Sequence, residues 1–168
     1  MFVTVDVQGF KAFDNRFIVK EIAVVLNDEE YHCFFLKEPF PIEELDKHDQ
    51  RQTSWLQLYH HGIPWSYGSD SFKNVQQYMQ KLLKNTTVFV KGAEKQQWMA
   101  EFLNQKIINI EDITNELNLS EWYKSVYPCQ YHNNLIKSTY KKSRLFRCAL
   151  KTAIILRNYI IFNSLYSE

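Results

Sequence analysis

The chain has few of the residues that punctuate or brace a fold, with only 4 Gly, 4 Pro and 3 Cys in 168 residues. So little Gly and Pro leaves scant room for a linker, and no internal repeat or low-complexity segment divides the sequence. Residues 1–168 are therefore expected to form one domain, long enough to bury a full core. The opening Met-Phe-Val-Thr-Val-Asp lacks the basic and apolar regions of a signal peptide. A reducing compartment, cytoplasmic or nuclear, is the expectation, with Cys33, Cys129 and Cys148 as thiols or metal ligands rather than disulfides. Lys151 and Arg157 interrupt the apolar run near the C-terminus, which is too short to cross a membrane and reads as a buried helix. A hydrophobic content of 45% with 15% aromatic residues argues against disorder.

Acidic residues are also missing from one long region. Residues 122 to 167 contain no Asp or Glu, yet carry Lys124, Lys137, Lys141, Lys142, Arg144, Arg147, Lys151 and Arg157. The whole chain is only +1, so the part before this block is net acidic and the near-neutral total conceals a dipolar molecule. A basic block of this kind points to a polyanion, against the plainer reading of a solvated charged face.

The apolar pattern predicts three strands in an antiparallel meander. They run over Phe2 to Val7, Phe17 to Leu26 and Tyr31 to Leu36, with a turn at Gly9 and a hairpin turn at Asn27-Asp28-Glu29. A polar, irregular stretch then runs from Pro39 through His60-His61-Gly62-Ile63-Pro64-Trp65. Ser69 and Ser71 around Asp70 supply an N-cap for a helix over about Phe72 to Lys84. Thr87 to Lys91 reads as a strand that turns at Gly92 into a helix over Ala93 to Leu103, and Ile107 to Ile110 repeats the pattern. Glu111-Asp112 place negative charge at the first turn of a further helix, where the dipole favours it, and a last helix spans about Leu145 to Leu165. This is an α/β chain with a mixed sheet flanked by helices. The RNase H-like fold has this order of elements.

The last quarter also holds metal-ligand spacing. Cys129-Gln-Tyr-His132 is a Cys-x2-His pair on one short turn, and Cys148 opens a helix. Two thiols and an imidazole can reach one zinc ion, but structural zinc takes four ligands, and the fourth must come from elsewhere in the chain. His60 and His61 invite a catalytic reading, yet beside Gly62, Pro64 and Trp65 they read first as parts of an ordered loop. Cys33, alternating with apolar residues, reads as core.

In outline the chain resembles the 3′-5′ exonuclease (DEDDh) branch of the RNase H-like fold, with the acids gone. Where that family begins with Asp-x-Glu, this sequence has Asp6-Val7-Gln8. Where its second motif places an Asp, Gln96 or Gln97 stands, and its third motif corresponds to Arg147-Cys148-Ala149-Leu150-Lys151-Thr152-Ala153. Two-metal hydrolysis needs several carboxylates around two divalent ions, and Asp6 among Gln, Lys and Thr cannot supply them. A closer resemblance is to the Maelstrom domain, an RNase H-like relative in the piRNA pathway that lost the catalytic acids and carries a Glu-Cys-His-Cys zinc site. It is carried by Lys20-Glu21-Ile22-Ala23-Val24-Val25, by Cys129-x2-His132 and by Phe146-Arg147-Cys148-Ala149-Leu150, in that order. The resemblance implies Glu21, Cys129, His132 and Cys148 as ligands of a structural Zn2+, with Glu29, Glu30 or another histidine as alternatives to Glu21.

Three functions follow as expectations. The first is a catalytically degenerate nuclease-fold domain that binds RNA, expected to be single-stranded, through Lys91, Lys137, Lys141, Lys142, Arg144, Arg147 and Lys151, in a small-RNA silencing setting. The second, implied by the resemblance, is a metal-independent single-strand RNA endonuclease; no residue is assigned a catalytic role, and His60, His61 and Lys91 are candidates by residue type alone. The third is a protein-interaction scaffold without RNA affinity, its partners being proteins of an RNA-silencing complex.

Overall fold

Phe2–Ala12 forms β1, a strand whose side chains are covered on both faces for nearly its whole length. Val3, Val5 and Val7 enter one apolar layer. Thr4, Asp6 and Gln8 alternate with them and so lie on the other face, all buried. The computed structural model describes residues 1–123, 129, 131 and 147–166. Arg16–Val25 (β2) and Tyr31–Phe35 (β3) complete the expected antiparallel meander. Thr87–Val90 (β4) then joins β1 in parallel, and Ile107–Asn109 (β5) joins β4 in parallel. The result is a five-stranded mixed sheet in the order β3-β2-β1-β4-β5.

Helices cover both faces. Phe72–Leu82 (α2) and Ala93–Leu103 (α3) lie on one, where Val75, Met79, Met99, Phe102 and Leu103 pack against the β1 valines. After the single turn Leu119–Trp122 (α4), the closing helix Ala149–Phe162 (α5) covers the other. Its buried face includes Ala149, Ala153, Ile155, Leu156 and Ile160. Thr4 fastens it to the sheet, donating from Oγ1 to the Ala153 carbonyl at 2.7 Å.

Three expectations need correction. The stretch read as irregular contains a helix, Lys47–Tyr59 (α1), which starts at Asp46, whose side chain accepts the Asp49 N–H at 2.8 Å. It buries only Asp49 and Thr53 fully, so it has no apolar stripe for a periodicity argument to find. Gly9 is not a turn but lies inside β1, where the register with β2 shifts between Gln8 and Gly9 and leaves Lys20 as the extra residue of a β-bulge. A Cβ at Gly9 would stand 2.1 Å from the Ile18 carbonyl oxygen, so only glycine fits. The helix expected to follow Ile110 is a single 3-10 turn, Ile110–Asp112, capped by the Asn109 side chain. The start of the last helix at Leu145 lies outside the described residues, and α5 is seen from Ala149 onward, with Cys148 as its N-cap.

Candidate functional site

The face of the sheet under α5 gathers many of the buried polar groups in two neighbouring places. In the first, Glu21 on β2 points at the beginning of α5. Its Oε2 accepts the Ala149 N–H at 3.2 Å, and its Oε1 lies 3.9 Å from the Cys148 thiol, which donates toward it. A carboxylate suits this position because the first N–H groups of a helix have no partners inside it. Cys129 is buried in the same cluster and shares a side-chain hydrogen bond with Cys148. That bond, burial and the facing Glu21 carboxylate all push the Cys148 thiol far above its ordinary range.

Cys33, read from sequence as core, joins this group. It is paired across the β2–β3 ladder with Ala23, two residues from Glu21 on the same face, and packs partly buried against the cluster. Burial, then Glu21, then Cys129 push its thiol upward as well. The register of the hairpin was the signal: any residue opposite Ala23 must share a face with Glu21.

A buried carboxylate facing thiols whose proton affinity it raises is a donor set that a divalent cation would reverse. Zinc takes such ligands at about 2.0 to 2.3 Å, which sets donor atoms about 3.5 Å apart; the 3.9 Å between Cys148 Sγ and Glu21 Oε1 is close to that. Glu21, Cys129 and Cys148 are thus ligand types that zinc takes, but their ligand atoms do not all lie within 4.8 Å of one another, and His132 lies outside the described residues. A second grouping, Asp46, His48 and Asp49, has ligand atoms within 4.8 Å of one another at the start of α1. Its carboxylates already have partners: Asp46 caps α1, and Asp49 accepts the Phe13 N–H at 2.9 Å.

The second place is a cleft of about 270 Å3 beside the bulge, lined among others by Gln8, His60, Lys95, Arg147, Thr152 and the Lys11–Glu94 ion pair at 2.9 Å. Asp6 lies just beneath it. Its carboxylate accepts from Lys95 Nζ at 2.5 Å and from Gln8 Nε2 at 3.1 Å. Burial drives the Asp6 pKa up, and the Lys95 ammonium and the Gln8 amide recover part of that cost. An ammonium thus stands against the one acid of the strand, where a metal ion would need further carboxylates. Arg147, which lines the cleft, and Lys151 both lie over the Tyr123 ring, 5.0 and 4.9 Å from its centroid. The Tyr123 hydroxyl bonds to the Cys148 carbonyl at 3.0 Å and to Thr152 Oγ1 at 2.5 Å.

The two histidines separate. His61 is fully buried, and its Nδ1 accepts the Ile63 N–H at 3.1 Å, so Nε2 is the protonated nitrogen and donates to the Gly9 carbonyl at 3.0 Å. It is the expected ordered-loop residue, bracing the bulge. His60 instead lines the cleft, where burial, then Arg147, then Lys95 lower its pKa.

Of the expected nucleic-acid contacts, Arg147 lines the cleft and Lys151 sits beside it, largely buried, with burial lowering its pKa. Lys91 forms an ion pair with Glu111 at the end of β4. Lys137, Lys141, Lys142 and Arg144 lie outside the described residues. Among the described residues no helix is long and apolar enough to cross a membrane. Neither the models of known protein families nor the curated proteins contain one that matches this chain.

Proposed function

We propose that the chain is a catalytically degenerate nuclease-fold domain, RNase H-like and of the Maelstrom kind, that binds single-stranded RNA. The observation that carries this is the Asp6–Lys95 pair. At the floor of the cleft the one carboxylate of β1 is neutralised by an ammonium at 2.5 Å, and the nearby positions are Gln8, Thr152 and Arg147. With Asp6 taken up by Lys95 and Glu94 by Lys11, the cleft does not offer the set of carboxylates that two-metal hydrolysis needs, while Arg147 brings a guanidinium that can meet a phosphate. The element order supports the fold assignment: three antiparallel strands, then strand-helix units adding parallel strands, then a closing helix.

In this reading Glu21, Cys129, His132 and Cys148 hold a structural Zn2+, which would fix the start of α5 to β2 without offering an open position for an activated water. The protein's own contribution is positional. Glu21 receives the helix N-terminus, Tyr123 ties Cys148 and Thr152 together, and Arg147 is thereby presented to the cleft. A small-RNA silencing setting, including the piRNA pathway, rests on the family resemblance alone.

The test is a salt series with a fluorescent single-stranded RNA. Each phosphate contact should contribute about −0.7 to the slope of log K against log salt. Arg147→Gln should make the slope shallower by about that amount, and an affinity independent of salt would remove the proposal. A second reading, metal-independent RNA cleavage, is favoured by His60, because its lowered pKa leaves a neutral imidazole in the cleft able to accept a proton. Cleavage that persists in chelator and is lost in His60→Ala would establish it over binding alone.

A further inference from the structure

The outer face of α1 carries an exposed row of cations and aromatic rings. Lys47, Arg51, Trp55 and Tyr59 stand four residues apart, so they form one line along the helix, at about 6 Å of rise per step. Trp55 is 56% exposed and Tyr59 52%, the two rings 6.0 Å apart and tilted by 41°. The adjacent line, Gln52, Leu56 and His60, is the part of α1 and its C-cap that lines the cleft. The row therefore continues the cleft wall outward. The one carboxylate within α1, Asp49, is buried and accepts the Phe13 N–H, and the exposed acids beside the helix, Asp46 at its N-cap and Glu44 before it, lie at the Lys47 end, away from Trp55 and Tyr59.

We infer that Lys47, Arg51, Trp55 and Tyr59 form a track for single-stranded RNA, with Trp55 and Tyr59 stacking bases, Arg51 and Lys47 meeting phosphates, and the strand continuing toward Arg147 in the cleft. This rests on the RNA-binding reading above and adds to it which bases are unstacked and where. Exposed aromatic faces flanked by cations are the arrangement that sequence-tolerant single-strand binders use. An apolar protein partner would leave the cations of the row and the adjoining cleft unexplained.

The experiment measures binding of the full chain to a 15-nucleotide oligouridine and to a duplex RNA of the same length, by anisotropy across a salt series. Trp55→Ala and Tyr59→Ala should each weaken single-strand binding by about 5- to 100-fold. The salt slope should stay the same and duplex binding should change little. Trp55→Phe should recover most of the loss, while Arg51→Gln should flatten the slope. Unchanged oligouridine affinity in Trp55→Ala and Tyr59→Ala, with the wild type still binding, overturns the track and leaves the RNA-binding domain standing. No binding by the wild type at low salt overturns both. Equal losses on single-stranded and duplex RNA also overturn the track, since duplex bases are not available to stack. Because both side chains are largely exposed, thermal unfolding should match the wild type and exclude misfolding as the cause.

Discussion

Glu21 and Cys148, 127 positions apart in sequence, meet at the start of α5, where one carboxylate takes both the Ala149 N–H and the Cys148 thiol. Whether that meeting is completed by a metal is decided by comparing two substitutions. Glu21→Gln retains an oxygen for the Ala149 N–H, so in a metal-free protein it should cost at most about 1 kcal/mol. With zinc bound it should remove the ion and several kcal/mol of stability together. Elemental analysis of the purified wild type should give one zinc per chain, lost in Cys148→Ser. A wild type without zinc, purified without chelator, would leave Glu21 as a helix cap and nothing more.

The Asp6–Lys95 pair makes a second prediction. Replacing Lys95 by Met leaves a buried carboxylate without its ammonium and should destabilise the fold by about 3 kcal/mol at pH 7. Asp6→Asn should restore most of this in the double variant, as read by urea denaturation. The pH dependence follows from the raised Asp6 pKa. The folded state holds the proton more tightly than the unfolded chain, so stability falls as pH rises from the ordinary value of 3.8 through the folded one. Asp6→Asn should remove that fall.

Lys20 behaves in the opposite sense. It is fully buried at the bulge, donates from Nζ to the Leu36 carbonyl at 2.5 Å, and burial lowers its pKa from 10.5 to about 8. The unfolded chain therefore binds more protons between those values, and this residue's contribution makes stability rise with pH across that window. Cys33, Tyr123 and Cys148, with raised pKa values, oppose the trend. The difference between wild type and Lys20→Met isolates it. Between the folded and unfolded pKa values, that difference should move in favour of the wild type by about 3 kcal/mol, the linkage of about 1.4 kcal/mol per pH unit summed over that window. A flat difference would mean that Lys20 is not desolvated.

Gly9→Ala should be among the most damaging small substitutions in the chain. The added methyl would meet the Ile18 carbonyl at 2.1 Å and displace backbone rather than a side chain. Opening the bulge would also disturb the Gly9 carbonyl that His61 holds. A loss of about 3 kcal/mol or more in thermal or urea unfolding is expected; a loss below about 1 kcal/mol would show that the bulge relaxes.

Elements with a strong apolar period were legible in the sequence: the meander, α2, β4, α3 and the body of α5 all fall where Val, Ile, Phe and Leu recur at the spacing of a covered face. The missed α1 shows the limit, since its two buried positions are a Thr and an Asp and its cap is a single Asp side chain. Gly9 looked like a turn because composition reports that a position needs glycine, not whether the reason is a reversal or a close approach. At the site, the structure shows Cys148 against both Glu21 and Cys129, residues that the sequence grouped only through a resemblance. The presence of Cys33 beside them required the β2–β3 register, and Lys95 against Asp6 required knowing how α3 meets β1.

Tyr123 and Cys148 touch, hydroxyl to backbone, with the Cys148 N–H donating to the phenol at 3.2 Å and the phenol bonding to its carbonyl at 3.0 Å. The two ends of the intervening stretch are thus fastened at one point. Tyr123→Phe would take from the Cys148 N–H the oxygen that accepts it, at the residue that caps α5.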